Sequence, residues 1–256
     1  MMLVRVILCL PFLLYACWSD IKTRKVTNRL WPPMISLGIV LLILDAVNSG
    51  IQSLIPAAVA IGVVFVFVYI IYYFGVFGGA DAKALILIGL MVPLYPSITL
   101  FGYNLPFAGV PIHRLFALSV LGNGVFLSII IPVVIFIYNL TELFKGKKMP
   151  ERLFLLLVGY RREVKRLKDY KHLRLLESYE ETGDGRVHKR YKLGGVKIDD
   201  EVIEELEKWL RSGKIGTEVW VTPGLPFMIP ITLGFLSAVV WGDLIDSLVK
   251  LALGLI

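Results

Sequence analysis

The sequence predicts an all-α membrane protein: six transmembrane helices, with a small cytoplasmic α+β domain between the fifth and the sixth. Three observations predict this fold class. Hydrophobic residues make up 57% of the 256-residue chain, and the mean hydropathy of +0.75 is higher than globular proteins carry. Apolar runs close to the ~20 residues that cross a bilayer recur along the chain. Lys and Arg gather in two of the intervening segments, as they do on the cytoplasmic side of membrane proteins.

The apolar windows place the six predicted spans in order along the chain. The first run, Val6 to Trp18, has the length of a signal-peptide core but lacks a convincing cleavage site, so we expect a retained helix. Three glycines within residues 75–80 are poor helix formers and separate the third run from the fourth. The predicted spans are residues 3–19, 30–47, 51–74, 81–101, 115–139 and 225–245.

The positions of the basic residues predict the orientation in the membrane. The segment 20–29 holds four of them, and the segment 145–214 holds nineteen of the 27 Lys and Arg residues. The opposite side holds only Arg5, Arg114 and Lys250. Because basic loops stay in the cytoplasm, the sequence predicts a multi-pass protein of the plasma membrane with both termini outside the cytoplasm.

Residues 140–219 differ in composition from the rest of the chain, because they carry fifteen acidic residues besides the basic ones. They predict a soluble cytoplasmic domain. The chain is thereby divided into a membrane region with spans one to five at 1–139, the cytoplasmic domain at 140–219, and a segment 220–256 that holds the sixth helix.

Three local patterns predict structure inside the cytoplasmic domain. Residues 182–185, Thr-Gly-Asp-Gly, predict a hairpin turn between two strands. Asp199 and Asp200 are candidate N-caps of an acidic helix that runs to Leu210. The apolar run 152–158 and the basic residues after it fit an interfacial helix on anionic lipid or, equally well, a core helix of the domain.

Two acidic residues at the ends of predicted spans are the candidate catalytic groups. Asp20 ends the first span and Asp81 opens the fourth, and the predicted topology places both at the cytoplasmic face. Two facing carboxylates in a water-poor site share one proton, so that one acts as base and the other as acid in peptide hydrolysis. The helix dipole favours Asp81 as the base and Asp20 as the acid. The alternative is that each aspartate is an ordinary helix-end residue, satisfied by a cap or a neighbouring lysine.

The remaining acids of the membrane region belong to the opposite face. Asp45, Asp243 and Asp246 are predicted to lie outside, where they cannot meet Asp20 and Asp81. We therefore expect Asp45→Asn and Asp243→Asn to be nearly neutral.

The sequence around both candidate aspartates resembles the prepilin peptidases, a group of GxGD-type membrane aspartyl proteases. Residues 20–28, Asp-Ile-Lys-Thr-Arg-Lys-Val-Thr-Asn, are similar to their first-aspartate motif, and residues 78–83, Gly-Gly-Ala-Asp-Ala-Lys, are similar to G-x-G-D-x-K. The resemblance implies that Asp20 and Asp81 are catalytic and that Gly78, Gly79, Lys22 and Lys83 support the motif. Ala80 replaces the second glycine, so we expect an ordinary or only mildly strained backbone there.

Among the prepilin peptidases, the archaeal preflagellin (prearchaellin) peptidases of the archaellum are most similar. Their last loop and final span resemble residues 220–233 of this chain, which include Pro223, Pro226 and Pro230. The resemblance implies a protease that removes leader peptides at the cytoplasmic membrane face. It also implies precursor substrates with a short basic leader and a hydrophobic helix, such as archaellins and pilins. Because no cysteine-containing domain precedes span one in this sequence, we expect no accompanying methyltransferase activity.

Two other functions fit part of the pattern. An intramembrane protease resembling presenilin and signal peptide peptidase also uses a G-x-G-D aspartate, but its first aspartate lies deeper in the membrane, in a Tyr-Asp context. An ion-coupled transporter also uses intramembrane acids, but this sequence has no inverted repeat and its two acids are near one surface.

The sequence predicts no metal, no other cofactor and no nucleic acid partner; the expected surroundings are the lipid bilayer. Cys9 and Cys17 share the first predicted helix and lack the spacing of a zinc site, so we expect them to be packing residues. His113, His172 and His188 are isolated from one another in the sequence, and no glycine-rich phosphate loop is present in it.

Overall fold

A computed structural model of the chain describes residues 1–75, 77–170, 172–181, 187–224 and 226–254, with no account of the side chains of Glu181 and Leu193. The chain divides into two compact units. The membrane unit consists of Met1–Ser128 and Pro226–Ile256, and the sheet unit consists of Ile129–Leu225. The structure is mostly helical, with one small sheet domain late in the chain.

The helices and strands follow one another in a simple order. The described elements are α1 Met2–Thr23, α2 Trp31–Ser49, α3 Leu54–Tyr73, α4 Gly79–Met91, β1 Ile98–Leu100, β2 Tyr103–Leu105, α5 Phe116–Ser128, α6 Ile130–Phe144, α7 Leu155–Val158, β3 Tyr160–Glu163, β4 Leu173–Glu181, β5 Val187–Lys197, α8 Asp200–Arg211, β6 Glu218–Pro223, α9 Met228–Val240 and α10 Leu244–Ala252. Short 3-10 turns at Asn28–Leu30, Ile51–Ser53 and Val164–Asp169 connect some of them.

Within the described residues, four helical segments are long and apolar enough to cross a membrane. They are Met2–Thr23, Asn28–Ser49, Ile51–Tyr73 and Phe116–Phe144. Helices α9 and α10 are bent by 59° relative to each other and make a fifth candidate if the pair counts as one span. The structure thus has four or five candidate spans, and the prediction of six is not confirmed.

The fourth predicted span, 81–101, is the segment that differs most from the structure. Helix α4 has 13 residues, which is about 20 Å and too short for ~30 Å of hydrocarbon. The helix ends at Met91 because Pro93 excludes the helical conformation at Val92, whose φ is −133°. The rest of the predicted span ends in β1, which pairs with β2 just beyond it in an antiparallel hairpin.

The core of the membrane unit is formed by buried side chains from α1, α2, α3, α4, α5 and α9. Helices α5 and α9 approach each other closely at two glycines. A Cβ atom on Gly234 would lie 2.3 Å from the carbonyl oxygen of Val120, and one on Gly124 would lie 2.8 Å from that of Pro230. Small residues allow such backbone contact, which is the usual way for helices to pack in a membrane.

Asp45 and Asp243 have structural roles that the sequence analysis did not predict. Asp45 forms an ion pair of 2.5 Å with Arg5, a residue that is completely buried. Asp243 is buried, caps the start of α10 and accepts a hydrogen bond of 2.6 Å from Ser119. These contacts argue against the expectation that asparagine at these two positions is nearly neutral, because each carboxylate satisfies buried polar groups.

The sheet unit has a four-stranded antiparallel sheet in the order β3-β6-β4-β5, and α8 contributes to its core. Strands β4 and β5 form the predicted hairpin; its turn, 182–185, lies outside the described residues. The predicted acidic helix is α8, and Asp199 caps it by accepting the N–H of Val202 at 3.1 Å.

The run 152–158, predicted as either an interfacial helix or a core helix of the domain, has a buried part and an exposed part. Only Leu155–Val158 is helical, and Leu155 and Leu156 are buried with Leu176 and Trp220 in a small core. Leu153 and Leu157 are exposed.

Candidate active site

Asp20 and Asp81 come from distant parts of the sequence and lie in the same unit. Asp20 is partly buried in the last turn of α1, and Asp81 is buried in the first turn of α4. The two carboxylates are close enough for their charges to interact. The structure therefore brings together the two acids that the sequence analysis selected.

The loop before α4 positions Asp81. Gly78 precedes the helix in an extended conformation, φ −72° and ψ 162°, and its N–H donates to the Asp81 carboxylate at 3.0 Å. The first helical hydrogen bond runs from the N–H of Ala82 to the carbonyl of Gly78 at 3.2 Å. The carboxylate thus lies at the positive end of the helix dipole, which favours its anionic form.

Asp20 is positioned by the start of α9. The N–H of Met228, the first residue of that helix, donates to the Asp20 carboxylate at 3.3 Å. Asp20 therefore also accepts a backbone N–H from a helix N-terminus. At Asp20 the N-terminus of α9 therefore opposes the C-terminal end of α1, whereas Asp81 lies only at a helix N-terminus, and the assignment of Asp81 as the base and Asp20 as the acid stays a prediction.

The two lysines of the motifs have other partners than the aspartates. Lys83 donates from its ammonium group to the side-chain oxygen of Asn28 at 2.8 Å, which joins the second motif to the end of the first. The ammonium group of Lys22 lies 4.4 Å above the ring of Trp18. The alternative in which these lysines neutralise the acids has no support in these contacts.

Ala80, the one departure from the motif, lies inside the first turn of α4. Its φ is not among the positive values of the described chain. Alanine is the best helix former and glycine a poor one, so alanine is favourable at this position. The motif's other glycines have distinct roles, since Gly78 donates to Asp81 and Gly79 begins the helix.

Four residues near the aspartates were not predicted as part of the site from the sequence, namely Cys17, Phe77, Phe227 and Met228. Cys17 is partly buried and lies one turn before Asp20 on α1. Phe77 and Phe227 stack with ring centroids 5.6 Å apart, next to Gly78 and Met228 respectively. Pro230 is the sequence signal for a helix start at Met228, because proline is tolerated in the first turn of a helix, and Pro226 lies just before that turn.

The arrangement is suited to acid–base chemistry without a metal ion. Among the described residues, no group of three or more His, Cys, Asp or Glu side chains is placed to hold a metal. A pair of carboxylates can act without one, because one carboxylate holds a proton while the other accepts one.

Comparison with known proteins covers nearly the whole chain. Residues 7–133 match the type IV leader peptidase family, and residues 151–244 match the C-terminal region of archaeal peptidase A24, type II. The chain is 29% identical over 238 residues to a preflagellin peptidase of Methanococcus voltae, which covers 93% of this chain and 94% of the relative. It is 27% identical over 253 residues to a preflagellin peptidase of Methanocaldococcus jannaschii, with 95% and 96% covered.

The first matched range contains both aspartates, and the second contains the start of α9 that contacts Asp20. The chain is therefore a peptidase with membrane character that belongs to the type IV leader peptidase family and is similar to preflagellin peptidases along nearly all of its length.

Proposed function

We propose that this protein is a membrane aspartyl endopeptidase that removes the leader peptide from preflagellin-like and prepilin-like precursors at the cytoplasmic face of the membrane. The observation that carries the proposal is the pairing of Asp20 and Asp81, whose carboxylates interact although they come from different helices. The family and the printed names of the relatives support the reaction, since both describe peptidases that act on precursors of this kind.

The chemistry follows from two carboxylates that share one proton. The ionised carboxylate removes a proton from a water molecule, and the resulting hydroxide attacks the carbonyl carbon of the scissile peptide bond. The protonated carboxyl group hydrogen-bonds to the carbonyl oxygen as negative charge develops there. Collapse of the tetrahedral intermediate breaks the C–N bond. The departing nitrogen takes up the proton that the first carboxylate removed from water, which restores the starting state of both carboxyl groups. The N–H groups of Gly78 and Met228 hold the carboxylates in place throughout.

The proposed topology places this reaction at the cytoplasmic surface. In this proposal six segments alternate with the charge distribution, and the fourth consists of α4 together with the apolar residues that follow it, because α4 alone is too short to cross. In this arrangement residues 1–139 and 220–256 form the catalytic membrane region and residues 140–219 the cytoplasmic domain. Precursors such as archaellins and pilins would keep their hydrophobic helix in the lipid and present a short basic leader to Asp20 and Asp81.

The test is cleavage of a precursor by the protein purified in detergent. Mass spectrometry should find a single cut at the boundary between the basic leader and the hydrophobic helix. An intramembrane protease of the presenilin type would instead cut inside the hydrophobic helix. Absence of any product under conditions in which the protein remains folded would contradict the proposal and favour a transporter.

Cleavage should not depend on a metal ion, because the proposed chemistry uses only the two carboxylates. Dialysis against EDTA is expected to leave the initial rate of cleavage unchanged within a factor of about two, a margin of ~0.4 kcal/mol. A loss of activity that a divalent cation restores would overturn this prediction.

Gly78→Ala should slow cleavage far more than Gly79→Ala. A Cβ atom on Gly78 would lie 3.3 Å from the carboxylate oxygen of Asp81 and would push it, whereas the nearest atom to a Cβ on Gly79 is the ring of Tyr72 at 3.8 Å. We expect a roughly tenfold slower rate for Gly78→Ala, about 1.4 kcal/mol, and less than a twofold change for Gly79→Ala.

Melting temperatures of the two glycine variants serve as the control, since a misfolded variant is also slow. Equal rates for Gly78→Ala and Gly79→Ala would show that crowding of Asp81 has no influence on the reaction.

A further inference from the structure

The sheet unit contains an open cleft whose chemistry the peptidase reaction does not use. The cleft has a volume of about 540 Å³ and lies between the segment after α6 and the sheet. Its charged lining consists of Lys147, Lys148, Arg161, Lys189, Glu151 and Glu218.

The two acids of the cleft are already occupied by two of its cations. Lys147 forms ion pairs with Glu218 at 2.8 Å and with Glu142 at 3.1 Å. The hydrogen bond to Glu218 raises the pKa of Lys147, so this lysine remains charged. Lys189 forms an ion pair with Glu151 at 2.9 Å. These two lysines therefore contribute little free positive charge to the cleft.

Lys148 and Arg161 remain as cations without an acidic partner among the residues that the structure describes. Arg161 is partly buried in β3, and its guanidinium lies 5.1 Å from the centre of the Trp220 ring. A guanidinium held against an aromatic ring keeps its N–H donors in a fixed plane, which suits the oxygens of a phosphate group. The cleft thus has an excess of positive charge and a rigid donor.

The cleft begins where a candidate membrane span ends. The span Phe116–Phe144 is followed after two residues by Lys147 and Lys148. Large apolar side chains around this segment are exposed, among them Phe144 at 89%, Leu153 at 66% and Met149 at 61%. Cations directly after a span, flanked by exposed apolar side chains, are typical of a protein surface at the level of the lipid headgroups.

We propose that this cleft binds the phosphate of an anionic membrane lipid, with Lys148 and Arg161 as its ligands and Phe144, Met149 and Leu153 in the outer acyl region. The charge of the cleft argues against the basic leader of a precursor as its occupant, since like charges repel. The proposed lipid binding does not depend on the proposed peptidase mechanism, because the cleft shares no residue with the pair Asp20 and Asp81.

The experiment measures lipid binding by native mass spectrometry on the full chain purified in detergent. Short-chain phosphatidylglycerol and phosphatidylcholine are added separately at increasing concentrations. The wild type is expected to bind phosphatidylglycerol at least fivefold more tightly, because phosphatidylcholine brings its own cation to the phosphate. The double variant Lys148→Gln/Arg161→Gln should bind phosphatidylglycerol at least tenfold more weakly than the wild type.

The matched control removes two neighbouring exposed cations, Lys165→Gln/Arg166→Gln, and should bind like the wild type. Arg161→Lys keeps the charge but loses the planar group, so intermediate affinity is expected. Melting temperatures identify a variant that has lost its fold. If the double variant has lost its fold, the phosphatidylglycerol affinity of Arg161→Lys is compared with that of the wild type instead.

Three results would overturn the proposal. The first is equal binding by Lys148→Gln/Arg161→Gln and the wild type. The second is displacement of phosphatidylglycerol by an equal concentration of inorganic phosphate, which would make the ligand a free anion. The third is equally tight binding of an acidic peptide, which would indicate a protein partner in place of lipid.

Discussion

Replacing Asp20 or Asp81 by asparagine is expected to slow precursor cleavage by roughly 10²–10⁴-fold. An amide cannot take up or release the proton that the reaction moves, and the carboxylate that remains cannot be acid and base at once. Asparagine keeps the volume of the side chain and still accepts the N–H of Gly78 or Met228, so the local fold should be retained. The double variant should be no slower than the worse single variant, because the two groups act as a unit.

The rates are measured with a co-expressed precursor and with the purified protein, and the products are identified by mass spectrometry. Asp169→Asn is the matched control, since Asp169 is exposed in the sheet unit and should leave the rate unchanged. Substantial cleavage by either aspartate variant would refute the proposed pair.

Asp45→Asn is expected to have the largest effect on stability among the acids outside the candidate active site. Arg5 is completely buried and donates to the carbonyls of Met91 at 2.6 Å and Leu41 at 2.7 Å, besides its ion pair with Asp45. Removing the carboxylate leaves a buried guanidinium without a compensating charge, which costs ~3–5 kcal/mol for a fully buried pair. We expect about 3 kcal/mol here, because the Asp45 side chain is 30% exposed.

The same contacts predict a loss of activity on heating. Arg5 belongs to α1, and Met91 is the last residue of α4, so their hydrogen bond joins the two helices that carry Asp20 and Asp81. Asp45→Asn should therefore lower the melting temperature in detergent by several degrees and inactivate the protein over the same range.

Two comparisons make the stability prediction specific. Asp246→Asn removes a helix-surface pair with Lys250, which is worth only ~0.3–0.5 kcal/mol, and should melt close to the wild type. The double variant Arg5→Met/Asp45→Leu should be more stable than Asp45→Asn, since it leaves no buried charge. A wild-type melting temperature for Asp45→Asn would show that the ion pair contributes nothing.

Patterns that depend on neighbours in the chain predicted much of the structure. The free energy of moving a segment from water into lipid is close to a sum over its residues, so the long spans α1, α2 and α3 follow from apolar runs alone. The helix cap at Asp199 and the hairpin of β4 and β5 are likewise set by a few adjacent residues.

The same reasoning made the fourth predicted span too long, because the prediction counted the apolar composition of the segment and not the effect of its prolines on the backbone. Residues 92–101 are largely apolar and extend the hydropathy window, but Pro93 ends α4 at Met91 and the hairpin at 98–105 follows. The prolines were visible in the sequence. Their effect depended on whether neighbouring helices and loops would satisfy the freed backbone groups, which no local pattern reports.

For the candidate active site, the sequence by itself determined which two acids to consider and predicted both near helix ends at one membrane face. Only the tertiary structure decided the contacts between distant segments. Met228 donates to Asp20, and Lys83 donates to Asn28. Arg5 of α1 joins that helix to α4 at the end far from the two acids. The physical reason is the range of the interactions. Helix capping and the transfer of a segment into lipid depend on residues that are close in the sequence, whereas a hydrogen bond between residues 208 positions apart exists only once the helices have packed.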